Sequence, residues 1–193
     1  MMNMKKLIVA LSITAATSTV VIARESTLMI DGFDHQKQTN KGIERVFITD
    51  AAAGGGTQAK SSIKDGVIHL KGDILPPRGQ PGWSSLVLPL SAMGQAYDAS
   101  EFDGVRLTLK ISKGSFSISA NSSEVTNFDY HAAPIMVKAD EKFHTIDIPF
   151  ESMKRAWSQQ TTLNKKTLNS LSIVAYGLQK SSFDFEVDAV SFY

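Results

Sequence analysis

The chain has 193 residues, with 20 Lys and Arg against 19 Asp and Glu for a formal charge of +1, and it contains no cysteine. Near-neutrality gives neither nucleic acid nor an anionic membrane surface a reason to bind. The missing thiols exclude disulfides, thiolate nucleophiles, cysteine-ligated zinc and acylation at an N-terminal cysteine.

Residues 1–23 place Lys5 and Lys6 before an apolar run from Leu7 and end in Val21-Ile22-Ala23, a small-x-small cleavage pattern. A secretory signal is expected, with the mature chain starting at Arg24 in a periplasm or outside the cell. The run is shorter than about 20 residues and is interrupted by Ser12, Thr14 and Thr17, so no stable membrane insertion is expected after cleavage. Removing 23 of 193 residues leaves 170, enough for one domain, 24–193. The loss of Lys5 and Lys6 leaves 18 bases against 19 acids, a net charge of −1.

From there the pattern is one of short strands. Alternating or apolar segments occur at Thr27–Ile30, Arg45–Ile48, Val67–Lys71 and Ser84–Leu90, and later at Phe143–Pro149, Ser170–Tyr176 and Phe183–Phe192. Val105, Leu107, Leu109 and Ile111 alternate with Arg106, Thr108 and Lys110; beyond Ser112-Lys113-Gly114 the alternation resumes with Phe116, Ile118 and Ala120 against Ser117 and Ser119. A hairpin about Gly114 is expected. Only Phe150–Trp157 and Lys165–Asn169 look helical, each a turn or two long. The expected fold class is all-β, an antiparallel β-sandwich of jelly-roll type with one or two short helices. In FDFEVDAVSFY the apolar phase slips between Val187 and Val190, which predicts a β-bulge at Asp188-Ala189 that keeps both halves on the core and turns Asp188 outward at a sheet edge.

The stretch DAAAGGGTQAKSS, from Asp50, raises the question of a phosphate loop. It fails the pattern, because no Lys-Ser or Lys-Thr follows the last glycine and a strand rather than a helix comes next. Gly54, Gly55 and Gly56 are therefore expected to form a structural loop, with Asp50 and Thr57 hydrogen-bonding its backbone.

The order of these blocks resembles the complex I intermediate-associated protein 30 family: DGFD, then Asp50 with GGGT, GVIHLKGDI, PGWSSLVLPL, DASEFDGVRLTLK, FHTIDIPFESM and FDFEVDAVSFY. The departures lie in the glycine block, where Phe47 or nothing stands for the family's tryptophan, Ala52-Ala53 for Val-Met, and Thr57 for serine. The resemblance implies a fold similar to the galactose-binding jelly rolls, which include many carbohydrate-binding modules, and a role as helper in the assembly of membrane complexes such as respiratory complex I.

The residues themselves point away from catalysis. His35, His69, His131 and His144 have no paired metal spacing, no GxSxG surrounds a serine, and no carboxylate pair is marked out. A non-enzymatic binding domain is expected. Asp31, Asp34, Glu186 and Asp188 offer oxygens for a structural calcium where the first and last strands would pair. The partner surface is expected on Arg106, Thr108, Lys110, Ser117 and Ser119, ringed by Tyr97 and Tyr130, with Trp83 as a further aromatic contact. The expected partner is a protein met during assembly of a membrane or envelope complex; the alternative is a glycan, stacked on the aromatics.

Overall fold

The computed structural model describes residues 27–193; the expected export segment and the cleavage point at Arg24 lie outside the described residues. Eleven strands follow in order: β1 (Leu28–Asp31), β2 (Val46–Thr49), β3 (Gln58–Lys64), β4 (Val67–Ile74), β5 (Gly82–Pro89), β6 (Gly104–Lys113), β7 (Ser115–Ser122), β8 (His131–Pro134), β9 (His144–Pro149), β10 (Leu168–Gly177) and β11 (Ser181–Phe192). They form two antiparallel sheets. One is six-stranded, in the order β3-β4-β11-β6-β9 with β1 also on β11; the other is five-stranded, β2-β5-β10-β7-β8.

Alternation decides what lies between the sheets. Leu107 and Leu109 of β6 and Val187 of β11 meet Leu88 of β5, Ile118 of β7 and Ile173 of β10, all 0% exposed. Each such side chain contributes about 1.5–3 kcal/mol by leaving water. At one end Phe192 packs against Tyr97, Phe102 and Phe150 with ring centroids 5.9, 5.1 and 5.7 Å away.

The expected hairpin at Gly114 is not formed. β6 lies in the six-stranded sheet and β7 in the five-stranded one, so the chain changes sheets there. Gly114 has φ +112°, and a Cβ on it would stand 2.9 Å from the Cβ of Phe183. Period-two alternation is the same for a hairpin and for a strand that bends across the core, which is why the sequence reads either way. The helical expectations shrink to single 3-10 turns at Phe150–Ser152 and Lys165–Thr167, with a third at Asp50–Ala53.

The bulge in β11 is present. Val187 pairs with Leu109 and Ala189 with Thr108, leaving Asp188 as the extra, exposed residue while Val187 and Val190 stay buried. It sits in a central strand rather than at an edge, at the point where the other neighbour of β11 changes from β4 to β1.

Candidate functional site

The glycine loop is a closed structural unit. Asp50 is 0% exposed; its carboxylate accepts the Thr57 N–H at 3.0 Å, the Thr57 hydroxyl at 2.6 Å and the Trp83 N–H at 3.1 Å. Thr57 Oγ1 in turn accepts the Leu75 N–H. Gly54 adopts φ +82°, and Gly55 is pressed against the Asp50 carboxyl. The loop thus ties β2, β3 and β5 together, with its polar groups turned inward.

The four acids expected to hold calcium are not brought together. Asp31 is buried in a two-point ion pair with Arg45, Nε to Oδ2 at 2.5 Å and Nη2 to Oδ1 at 2.7 Å, and it also accepts the Phe33 N–H. The Arg45 guanidinium lies 4.9 Å from the Phe33 ring centroid. Glu186 pairs with Lys110, while Asp34 and Asp188 point into solvent. Among the described residues no three His, Asp or Glu side chains converge on a possible metal position. The histidines are equally dispersed: His69 contacts Asp184, His144 contacts Asp140, and buried His131 contacts the Thr161 carbonyl.

The expected partner residues fall on opposite sides of the sandwich. Arg106, Thr108 and Lys110 face outward from the six-stranded sheet, whereas Ser117 and Ser119 face outward from the five-stranded one, because β6 and β7 belong to different sheets. On the first face, the charges of β6 are matched locally. Arg106 grips Asp147 through Nε at 2.6 Å and Nη2 at 2.8 Å, Lys110 reaches Glu186 at 2.6 Å, and Thr108 bonds Thr145. The hydrogen bond from Arg106 holds the Asp147 carboxyl below its usual range, and that to Glu186 raises Lys110. Tyr97 does not ring this face; it stacks on Phe192 and lies under Lys41.

The second face is chemically different. None of the five strands β2, β5, β7, β8 and β10 contains Asp, Glu, Lys or Arg. Register places Trp83 beside Tyr176, Ser85 beside Val174, Val87 beside Ser172 and Ser172 beside Ser119 on its outward side. The floor is a network of small polar groups. Asn121 Nδ2 donates to Ser170 and Ser172, and Ser119 donates to Asn121 Oδ1. These four side chains are 5–9% exposed although they point outward, so they lie below the level of their neighbours. Of the residues expected from sequence, Trp83, Ser117 and Ser119 lie on this face, beside Ser85, Asn121, Ser170 and Ser172, which the sequence did not single out. The alternate small polar residues at 115, 117, 119 and 121 and at 170 and 172 were the available signal.

Two loops beside β8 are stapled by Asp129. Its buried carboxylate accepts the N–H groups of Ala156 at 2.7 Å, Trp157 at 3.1 Å and Ser158 at 2.6 Å. Burial would push this carboxyl up, but the bonds from Ser158, Ala156 and Trp157 outweigh it and hold it below its usual value. Tyr130 lies beside Phe128 on one loop, 6.3 Å between centroids, while Phe128 and Trp157 are exposed. A cavity of about 800 Å³ is lined by Phe150, Met153, Thr161, Leu163 and Tyr193 among others.

Comparison with known proteins agrees with this architecture. A family 11 carbohydrate-binding module of the cellulosomal cellulase Lic26A-Cel5E of Clostridium thermocellum superposes with a TM-score of 0.64 at 18% identity, over 88% of this chain and 95% of that one. The same organism's family 11 module in complex with a beta-1,3-1,4-mixed-linked tetrasaccharide gives 0.60 at 17% identity, over 88% and 96%. Part of an agarase, AgWH50C, gives 0.58 at 8%, over 87% of this chain and 24% of that one. At such identities the likeness is one of fold. A search of curated protein sequences finds no match. The family model described as Complex I intermediate-associated protein 30 matches residues 33–187, from the buried Phe33 beside Arg45 to Val187 at the bulge. That span takes in the glycine loop, the five-stranded sheet, most of the six-stranded one and the stapled loops, and the chain belongs to the complex I intermediate-associated protein 30 family.

Proposed function

We propose that this chain is a non-catalytic binding domain, an exported assembly helper that holds a protein partner on the outward face of its five-stranded sheet. One observation carries the reading: the two outward faces divide the chemistry between them. On the six-stranded face Arg106 and Lys110 are already matched by Asp147 and Glu186, and exchanging such pairs for a partner's charges gains little. The five-stranded face carries no charged side chain and sets Trp83, Tyr176, Val87 and Val174 around a polar floor, so a partner there buries apolar area without desolvating an ion. Membership of the family supports a partner met during complex assembly.

A second reading, a neutral glycan on the same face, is favoured by Trp83 and Tyr176 at paired positions of β5 and β10 and by the serine and asparagine floor. Photo-crosslinking from position 176 in cells, beside calorimetric titration with a mixed-linked β-glucan tetrasaccharide, separates the two. A discrete protein adduct, lost on Trp83→Ala, together with no heat of sugar binding, is the expected result. Saturable sugar binding without an adduct replaces the first reading by the second, and silence in both arms removes the face.

A further inference from the structure

Every open sandwich has sheet edges whose unpaired N–H and C=O groups invite another strand, and folded chains protect them with charge, proline or covering backbone. Here the edges are treated unequally. β3 carries Lys60 and Lys64. β9 carries Asp147 and ends in Pro149. β8 ends in Pro134, and its Ala132 exchanges both backbone hydrogen bonds with Lys154. β1 gives its Ile30 carbonyl to the Asn40 N–H.

β2 has none of these devices. Its sequence is VFIT, and Val46, Phe47 and Ile48 are 43, 47 and 41% exposed. It is also held firmly at both ends, by Arg45 in the buried pair with Asp31 and by Asp50 in the glycine loop. The Arg45 N–H is taken by the Lys37 carbonyl, on the side away from β5. Backbone polarity alternates along a strand, so the N–H and C=O of Phe47 also point away from β5. Among the described residues no backbone group pairs with them.

We infer that β2 is a strand-accepting edge, and that its occupant is an extended, uncharged, β-branched segment of the protein partner, added antiparallel as a sixth strand of this sheet. The inference rests on the protein-partner reading above and specifies its mode. Charge selects the occupant: an added strand would continue a sheet whose strands hold no charged residue, beside the apolar Val46 and Ile48. A second copy is the poorer fit, since a four-residue strand supplies little of the roughly 800 Å² per partner that a stable dimer buries.

The probe is an acetylated and amidated pentapeptide of alternating threonine and valine, titrated into the ¹⁵N-labelled protein beside a peptide of alternating lysine and glutamate. The neutral peptide is expected to shift the amide signals of Val46–Thr49 and to slow exchange of the Phe47 N–H about tenfold or more. Phe47→Pro removes the donor and Ile48→Lys charges the edge; either abolishes the response. Because Ile48 is exposed, Ile48→Lys keeps its circular dichroism even where Phe47→Pro does not fold. No shift at β2, an equal response to the charged peptide, or Phe47 protection that grows with protein concentration alone overturns the inference. Cellular crosslinking that survives Ile48→Lys but not Trp83→Ala removes the edge and leaves the face reading standing; loss of both readouts on Ile48→Lys upholds the edge.

Discussion

A Cβ placed on Gly55 would fall 2.2 Å from the carboxyl carbon of Asp50, far inside any van der Waals contact. Gly55→Val must therefore expel the Asp50 carboxylate from the bonds it accepts from Thr57 and Trp83. Destabilisation of about 2–4 kcal/mol is expected, combining overpacking with a displaced buried charge. Gly54→Ala, at φ +82° with open space around it, is expected to cost only about 1 kcal/mol. Thermal melts of the two variants check the order. Equal losses would mean that the close approach to Asp50 is not what the glycine is there for.

The Asp31 carboxylate, beside the pairing of β1 with β11, is occupied by Arg45. Arg45→Met leaves a buried carboxylate without its partner and is expected to cost about 3–5 kcal/mol. Calcium and chelator, added in turn, should leave the melting temperature of the unaltered protein where it is. A rise with calcium would show that these acids serve a metal after all.

Asp129 gives the acid response a direction. Its folded-state carboxyl is held below the ordinary value, so its contribution is complete above the unfolded-state value of about 3.9 and is lost as pH falls through the folded one. Asp129→Asn sets an amide N–H₂ against backbone donors and is expected to cost about 1–3 kcal/mol at neutral pH. The gap between variant and wild-type melting temperatures should narrow below about pH 4. A gap that is constant down to pH 2.5 would assign the loss to packing instead.

The two faces can be set against each other. Trp83→Ala with Tyr176→Ala should abolish partner binding, more than a hundredfold in Kd, while circular dichroism stays native. Arg106→Ala should change it less than about threefold, because the Asp147 it leaves lies at the surface. A reversed ranking would return the site to the charged face.

Export is checked by fractionation and N-terminal sequencing. Mature protein starting at Arg24 outside the cytoplasm is the expected result; intact Met1 in the cytosol refutes it.

The strand pattern was legible wherever a strand had one buried face. β6, β10 and β11 alternate cleanly, and the slip at Asp188 announced its bulge because burial of Val187 and Val190 permits no other phase. β3 went unseen, since six of the seven residues in QAKSSIK are exposed and it pairs on one side only. Which sheet a strand joins was not legible. Alternation fixes the inward side chains but is silent about the bend at Gly114, and that bend separated Arg106 from Ser117. The Asp50 loop was readable, because glycines with a buried acceptor leave few arrangements. The Asp31–Arg45 pair was hidden by the separation of its partners, 14 positions apart in sequence. The uncharged sheet was visible all along in the composition of five short segments, yet only the strand order shows that they share a face.

β11, the last strand in sequence, occupies the middle of the six-stranded sheet and is bonded to β1, β4 and β6. No stable version of that sheet can close on a ribosome-bound chain before residues 181–192 have emerged. Its pairings span most of the sequence, as Leu28 with Phe192 shows, so ring closure across a long loop precedes any gain from packing. Folding governed by such distant contacts runs in milliseconds to seconds rather than microseconds. Until then the uncharged segments of the other sheet stay unprotected, and a mutation that delays docking of β11 will show itself first as aggregation during synthesis, before any loss of equilibrium stability is measured.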